Sequence, residues 1–249
     1  MYDLNHKISR VCLVVLVLLA GFAVVPVVLS AVRTAPHKSS SGASLLGAKI
    51  AAMRRVHTWR AAFVCEKKLA ILRHPFVSSG VMAIARPDRV RFATLRPYVS
   101  CIILAGNHIF MRSQTSRHWR KAGLSRRQSL GYIMRQLALW SLGHASHIRR
   151  DYQVSLARIA WPSAPSNFHL QHARTEPPSV AGTVFTLIPR SKVLAQAVRN
   201  IQLGFAPHSS KLAFIQIQAV KGDSTRYWLS RQEINPKLPR GYFKPGGAP

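Results

Sequence analysis

Apolar and polar residues alternate with a period of two from Thr58 almost to the end of the chain, which is typical of β-strands. Pro, Gly and Asn residues interrupt this alternation at short intervals and mark turns. The pattern predicts strands at 59–72, 76–85, 89–95, 98–105, 108–113, 151–159, 183–189, 197–205, 211–220 and 224–230. The pattern allows, but does not require, a short strand around Phe168 and a brief strand after residue 234. Short connections between consecutive strands favour an antiparallel meander.

Two segments instead show the 3.6-residue period of amphipathic helices. The first begins at Ser44 and places Leu46, Ile50 and Met53 on one stripe. The second spans 125–143, where Ser125 begins a capping box and Gly143 is a natural end. We therefore predict a mainly β (α+β) fold, in which a curved antiparallel sheet forms an incomplete β-barrel covered by amphipathic helices.

The N-terminus has the order of an export signal. Lys7 and Arg10 precede an apolar run from Val11 to Leu29, and small residues follow from Ser30. We expect cleavage within 30–35, and retention as a single inner-membrane anchor through residues 11–30 is the alternative, because the run is nearly long enough to span a bilayer. The predicted organisation is a signal peptide or anchor at 1–35, a polar linker at 36–43 and one domain at 44–249. In both cases the domain is exported.

Composition adds a strong positive charge. The chain has 36 Lys and Arg against seven Asp and Glu, for a formal net charge of +29, and 48% of its residues are hydrophobic. The hydrophobic content allows a packed core, and the charge indicates an anionic partner. Export and the dispersal of the basic residues along the whole chain argue against nucleic acid and favour an anionic membrane surface.

The cysteines do not predict a disulfide. Cys12 lies in the leader, and Cys65 and Cys101 fall on strands that are several positions apart in the predicted meander. A bridge between them would require strong curling of the sheet, because neighbouring strands are about 4.8 Å apart. We expect two buried free thiols, with a bridge as the alternative in an oxidising compartment.

The sequence contains few features that indicate an enzyme. Outside the leader, no two carboxylates have a spacing that suggests acid–base catalysis, and no nucleophile elbow, phosphate-binding loop or HExxH motif occurs. The pairs His144/His147 and His169/His172 offer two metal ligands each, whereas zinc sites need at least three protein ligands. We predict no enzyme activity, no catalytic residue, no metal and no cofactor, and an enzyme that uses the histidine pairs is the least favoured alternative.

Several motifs follow one another in a known order: "WRAAFVCEKK", "GVMAIARPDRVRF", "ILAGNHIF" and "FTLIPRS…IQLGF…KLAFIQIQAVKGDSTRYWLS". In this order the chain resembles the outer-membrane lipoprotein carrier (LolA-type) family over about residues 44–245. The resemblance implies an incomplete barrel capped by helices, whose cavity takes the acyl chains of a lipoprotein across the periplasm. It also implies that Arg86, followed by Pro87, hydrogen-bonds to a helical lid and controls its opening, and that Phe92 faces the cavity.

Strand alternation extends this prediction to further residues. Met82 and Ile84 share one face, and Val90 and Phe92 share the same apolar face after the turn, whereas Arg89 and Arg91 lie on the other, which we expect to be solvated. The predicted cavity lining is Met53, Phe63, Met82, Ile84, Val90, Phe92, Ile103, Phe110, Ile133, Met134 and Leu137. The predicted contacts to anionic headgroups or a membrane are Arg89, Arg91, Arg96, Arg126 and Arg127.

Together these observations predict a periplasmic carrier that binds the acyl chains of lipoproteins or related lipids and passes them toward the outer membrane. Expected partners are an acylated lipoprotein or lipid, an anionic membrane surface, an inner-membrane donor complex and an outer-membrane acceptor, with the carrier as a monomer. The alternative is an inner-membrane-anchored module of the same fold that binds lipid or a partner protein without shuttling.

Overall fold

The computed structural model of the chain describes residues 40–116, 118–123, 148–165 and 181–247. The leader, the predicted helix at 125–143, the open strand around Phe168 and both histidine pairs lie outside the described residues. The covering helix predicted at 125–143 and the apolar helix predicted in the leader therefore stay predictions. Within the described ranges, no helix is long and apolar enough to cross a membrane.

Eleven strands and four short helical segments make up the described structure. The first half contains α1 (Ser40–Ala51), a 3-10 helix (Ala52–Arg55), β1 (Thr58–Lys68), β2 (Phe76–Ala85), β3 (Arg89–Arg96), β4 (Ser100–Ala105), β5 (His108–Ser113) and β6 (Arg120–Gly123). The second half contains α2 (Ile148–Asp151), β7 (Tyr152–Ala160), β8 (Ala181–Pro189), α3 (Lys192–Ala195), β9 (Val198–Phe205), β10 (Leu212–Ala219) and β11 (Ser224–Ile234).

All eleven strands form one antiparallel sheet in the order β6-β5-β4-β3-β2-β1-β11-β10-β9-β8-β7. The first and last strands therefore pair in the middle, and two meanders run outward from them. β6 and β7 are the edges of this sheet, which is not closed into a barrel. The predicted mainly β fold with an open antiparallel sheet is confirmed.

Strand predictions succeeded where the alternation was regular. The bounds of β2 and β5 are those predicted, whereas β1 ends at Lys68, before a turn that contains Pro75. β6 was not predicted, because its four residues include two cations and show no apolar alternation. α1 begins at Ser40, inside the predicted linker. No strand follows Ile234 in the described part of the C-terminus.

One face of the sheet packs against α1 and the 3-10 helix, and we call it the helix-covered face. Its buried residues recur at every second position of the strands, as β-geometry requires. They include Trp59, Ala61, Phe63 and Cys65 of β1, Met82 and Ile84 of β2, Leu104 of β4, Ile201 and Leu203 of β9, and Ile215 of β10. Leu46, Ile50 and Val56 are the buried residues that the cover contributes.

The opposite face is also covered, by two irregular segments. Trp161, just after β7, packs over Phe214 and Trp228, and the Trp228 indole N–H donates to the carbonyl of Pro162 at 2.6 Å. At the other side, Tyr242 and Phe243 of the C-terminal segment pack on the alanines and isoleucine of β2, β3 and β4. Both faces of the central sheet are therefore buried, which explains why several strands read as nearly continuous apolar runs.

The cysteines are free, as expected. Cys65 lies on the helix-covered face and Cys101 on the opposite face, and both are buried. Burial raises the pKa of both thiols.

Close strand packing generates a prediction at Gly80. A Cβ at this position would overlap the carbonyl oxygen of Ala93 and lie 2.9 Å from Cζ of Phe63, whereas nothing lies within 4 Å of a Cβ at Gly47 on α1. We expect Gly80→Ala to lower the free energy of unfolding by about 3 kcal/mol, because the backbone atom cannot move aside. Gly47→Ala should raise it by up to about 1 kcal/mol through helix propensity. Urea unfolding measures both, and similar effects of the two substitutions would contradict this packing.

Candidate functional site

An aromatic cluster lies at the centre of the helix-covered face. The rings of Phe63 on β1 and Phe92 on β3 stack with centroids 4.4 Å apart, across the space that Gly80 leaves open between them. Tyr227 on β11 meets both rings edge-on, at 6.0 Å and 5.8 Å. Phe63 is fully buried, whereas Phe92 and Tyr227 keep part of their surface exposed. The cluster thus offers aromatic surface that is only partly covered.

The aromatic cluster carries no charge at neutral pH. Burial raises the pKa of the Tyr227 hydroxyl well above its ordinary value, and the neighbouring Cys65 thiol adds to this shift. Burial likewise raises the pKa of Cys65, although Lys67 opposes the shift. Both groups therefore remain protonated, and the cluster presents aromatic and neutral polar atoms to its surroundings.

Arg86 joins the sheet to its cover. It follows β2 directly, and its Nε donates to the carbonyl of Val56 at 2.9 Å. Its guanidinium also donates to the carbonyl of Arg54 at 2.7 Å, at the end of the 3-10 helix. The helix end is thus satisfied by a side chain, as helix C-termini require. The predicted type of contact, from Arg86 to backbone carbonyls of a helical cover, is present.

The cover has two further polar attachments. Lys49 Nζ of α1 donates to the carbonyl of Ser209, in the turn between β9 and β10, at 2.7 Å. Asn235, just after β11, donates from its Nδ2 to the carbonyl of Arg55 at 3.4 Å and accepts from the backbone N–H of His57, just after the cover, at 2.7 Å. Between these attachments, the cover contributes apolar side chains to the core, including the half-buried Met53. Such a cover is bound by hydrophobic contact and a few hydrogen bonds.

The structure places most of the predicted lining residues on the helix-covered face. Phe63, Met82, Ile84, Val90 and Phe92 all belong to it, and Met53 packs against it from the cover. Ile133, Met134 and Leu137 lie outside the described residues.

Ile103 and Phe110 correct the prediction, because both lie on the opposite face. The register pairs Val90 with Leu104 and Leu104 with Ile109, so Leu104 and Ile109 face the cover. "SCIILA" carries apolar residues at consecutive positions, and alternation could not choose between its two faces.

A second correction concerns Arg91. It was expected to be solvated and to contact anionic headgroups, yet it is only 4% exposed. Its guanidinium donates to the carbonyl of Tyr242 at 2.6 Å and stacks over the Tyr242 ring at 4.7 Å. Arg91 therefore holds the C-terminal segment against the sheet. Arg89 and Arg96 are exposed, and Arg126 and Arg127 lie outside the described residues.

Sequence reasoning missed the half of the face that β7 to β11 supply. Phe185, Leu187, Ile201, Leu203 and Leu229 are buried there together with the predicted residues. The period of two in "NIQLGF" and "FIQIQ" was the signal that could have assigned Ile201, Leu203 and Ile215, since it sets the alternate positions on one face. The candidate site therefore extends over both halves of the sheet.

Other kinds of site find no support in the described ranges. No group of three or more His, Cys, Asp or Glu that could hold a metal occurs there. Glu66 is in an ion pair with Arg226 at 3.0 Å, on the opposite face. An open cavity of about 380 Å³ lies at one end of the sheet, next to Val99 and Arg112, and not under the cover.

Residues 54–173 match the family model described as outer membrane lipoprotein carrier protein LolA. No curated protein matches the chain. Among solved structures, a LolA superfamily protein from Nitrosomonas europaea is 10% identical, with 82% of this chain and 98% of that one covered and a TM-score of 0.39. An uncharacterized conserved protein from Thermus thermophilus is 9% identical, with 82% and 93% covered and a TM-score of 0.45. A chain of the MucA/MucB complex from Pseudomonas aeruginosa is 15% identical, with 82% and 61% covered and a TM-score of 0.38.

The match of residues 54–173 to the model of the outer membrane lipoprotein carrier protein LolA confirms the resemblance that the sequence motifs indicated.

Proposed function

We propose that this protein is a periplasmic carrier that holds the acyl chains of lipoproteins or related lipids against the helix-covered face and passes them toward the outer membrane. The observation that carries the proposal is the uncharged, partly exposed aromatic cluster of Phe63, Phe92 and Tyr227, on the face whose helical cover is held by few polar bonds. The matched family is described as a carrier, which agrees with a binding rather than a catalytic role.

The energetics allow an acyl chain to displace the cover. Exchanging one apolar contact for another is nearly neutral, so the cost of release is set by the hydrogen bonds of Arg86, Lys49 and Asn235. Each such bond contributes about 1 kcal/mol net. Each newly buried methylene contributes about 0.8 kcal/mol, so a few methylenes offset the release and a long chain exceeds it. The affinity of such binding depends on the length of the acyl chain and does not require specific polar contacts to the ligand.

Within this proposal, an inner-membrane complex loads the carrier and an outer-membrane acceptor receives the cargo, and the carrier works as a monomer. The exposed cations, Arg89 and Arg96 among them, face anionic membrane surfaces. The chemistry recognised is a hydrocarbon chain, so nucleic acid is not a partner.

A second candidate is an inner-membrane-anchored module that binds the same ligands without shuttling. The apolar run from Val11 to Leu29 favours it, because a run of this length approaches what a bilayer span needs. An anchored protein cannot diffuse between two membranes, so the fate of the leader separates the two candidates.

Acyl-chain binding at the aromatic cluster can be tested with a matched pair of phenylalanines. Phe92 and Phe110 are both half-buried, but on opposite faces. We expect Phe92→Asn to weaken binding of a fluorescent diacylglyceryl-cysteine lipopeptide by about tenfold or more, because an amide replaces ring contacts worth more than about 1.4 kcal/mol. Phe110→Asn should leave the affinity unchanged. Equal losses in both variants, at matched thermal stability, would argue against binding at this face.

The role of Arg86 is tested by transfer rather than by binding. Arg86→Leu removes the donors to Val56 and Arg54 but keeps an apolar stem, so we expect a folded domain that no longer transfers lipopeptide between donor and acceptor vesicles. Arg240→Leu, at an exposed position in the C-terminal segment, is the control and should transfer at the normal rate. A wild-type transfer rate in Arg86→Leu would show that this residue does not control the cover.

The fate of the leader is measured by N-terminal sequencing of the protein from its own envelope. A mature chain that begins near Ala31 or Pro36 is expected of a carrier. An intact Met1 would instead favour the anchored module.

A further inference from the structure

One end of the sheet exposes large apolar side chains at the tips of its turns. The β1–β2, β3–β4 and β10–β11 turns all lie at this end, because the strands are antiparallel neighbours. We call these turns, residues 69–75, 97–99 and 220–223, the apolar end. Ile71 is 70% exposed, Leu72 44%, Tyr98 50%, Val99 46% and Val220 40%. Three hairpin turns at the other end, 86–88, 106–107 and 206–211, contain no large apolar residue other than prolines.

The three turns of the apolar end are joined into one surface. The rings of Phe76, at the start of β2, and Tyr98 are parallel, with centroids 6.5 Å apart, which links the first two turns. The backbone N–H of Ala70 donates to Asp223 Oδ1 at 2.8 Å, which links the first turn to the third. The exposed side chains are therefore held in place on a connected structure.

Cations surround these tips. Lys68, Arg73, Arg96 and Lys221 are exposed in or next to the three turns. The two nearby carboxylates are engaged within the protein, since Asp223 accepts from Ala70 and Glu66 pairs with Arg226. The apolar end thus combines protruding hydrocarbon with positive charge.

An open cavity adjoins the same end. It has a volume of about 380 Å³ and begins at Val99 beside Tyr98. Its lining consists of Val99, Ser100, Cys101, Arg112, Ser113, Gln114 and Ser116, with no carboxylate among them. The guanidinium of Arg112 is the charged group in this lining, and it suits the phosphate of a lipid headgroup.

We propose that the apolar end docks on an anionic lipid bilayer, with Ile71, Leu72 and Tyr98 entering the interfacial layer and the surrounding cations contacting headgroup phosphates. A bilayer fits better than a protein partner, because lysine is depleted at protein interfaces, whereas lysine and arginine stems lie readily along apolar surface with their charges at a membrane interface. The charge of the rim is complementary to anionic lipid.

This inference goes beyond the carrier function and does not depend on it. The apolar end is separate from the helix-covered face, and the polar attachments of the cover through Arg86, Lys49 and Asn235 lie at the other end of the sheet. Docking can therefore be measured without any cargo, and its failure leaves the acyl-chain proposal standing.

The test uses an environment-sensitive fluorescent label on the full chain. Cys12→Ser removes the leader thiol, and Cys65 and Cys101 are buried and free, so a cysteine introduced by Ile71→Cys can be labelled selectively. Ile234→Cys provides the matched control, because Ile234 is 47% exposed at the other end of the sheet. Protein with Cys12→Ser alone measures background labelling. The label senses only the polarity around its own position. Binding of the leader to the vesicle therefore does not change the comparison between positions 71 and 234.

We expect the label at position 71 to brighten severalfold and shift to the blue with vesicles of phosphatidylglycerol and phosphatidylethanolamine, and to respond weakly with phosphatidylcholine alone. The label at position 234 should not change. Lys68→Gln combined with Arg73→Gln should raise the half-saturating vesicle concentration by roughly 30-fold. Lys237→Gln combined with Arg240→Gln, which removes two exposed cations elsewhere, should have a much smaller effect.

Three results would overturn the proposal. Equal responses at positions 71 and 234 would mean that the protein binds without using this end. A response that does not distinguish anionic from zwitterionic vesicles would remove the role of the cations. No response at position 71 would exclude the bilayer and leave a protein as the partner of this surface.

Discussion

The pairing of the first strand with the last is the constraint on which the structure depends. β1 and β11 share nine paired positions, and they join two meanders that would otherwise be separate sheets. Residues far apart in sequence meet here, so the pairing must overcome a large loop-closure entropy before its contacts contribute. The aromatic cluster forms across this seam, because Phe63 belongs to β1 and Tyr227 to β11. A continuous apolar face therefore exists only when both ends of the domain are in place.

The sequence predicted some features of the first meander and not others. Regular alternation identified β2 and β5 with correct bounds, and it placed Met82, Ile84, Val90 and Phe92 on one face. It failed in β4, where Cys101, Ile102, Ile103 and Leu104 are all apolar and the phase of the alternation is lost. The register that settles this question comes from hydrogen bonding between strands, which a single chain pattern does not contain.

Arg91 shows a different limit of sequence reasoning. Alternation placed it correctly on the face opposite Phe92, but the same pattern could not show that an irregular C-terminal segment covers that face. Tyr242, which accepts the hydrogen bond of Arg91 and lies under its guanidinium, is separated from it by most of the domain. A charged residue in a strand is normally solvated, so the prediction followed the usual cost of burying charge. Here a backbone carbonyl and an aromatic ring replace water.

The placement of the two thiols on opposite faces determines which covalent links the folded chain can form. Cys65 and Cys101 are separated by the thickness of the sheet once the strands have paired, and burial keeps both protonated. A covalent link between them is accessible only to molecules that have not yet assembled, in which it would trap the two strands in the wrong arrangement. Formation of the first meander, whose contacts are local, therefore keeps the two thiols from pairing.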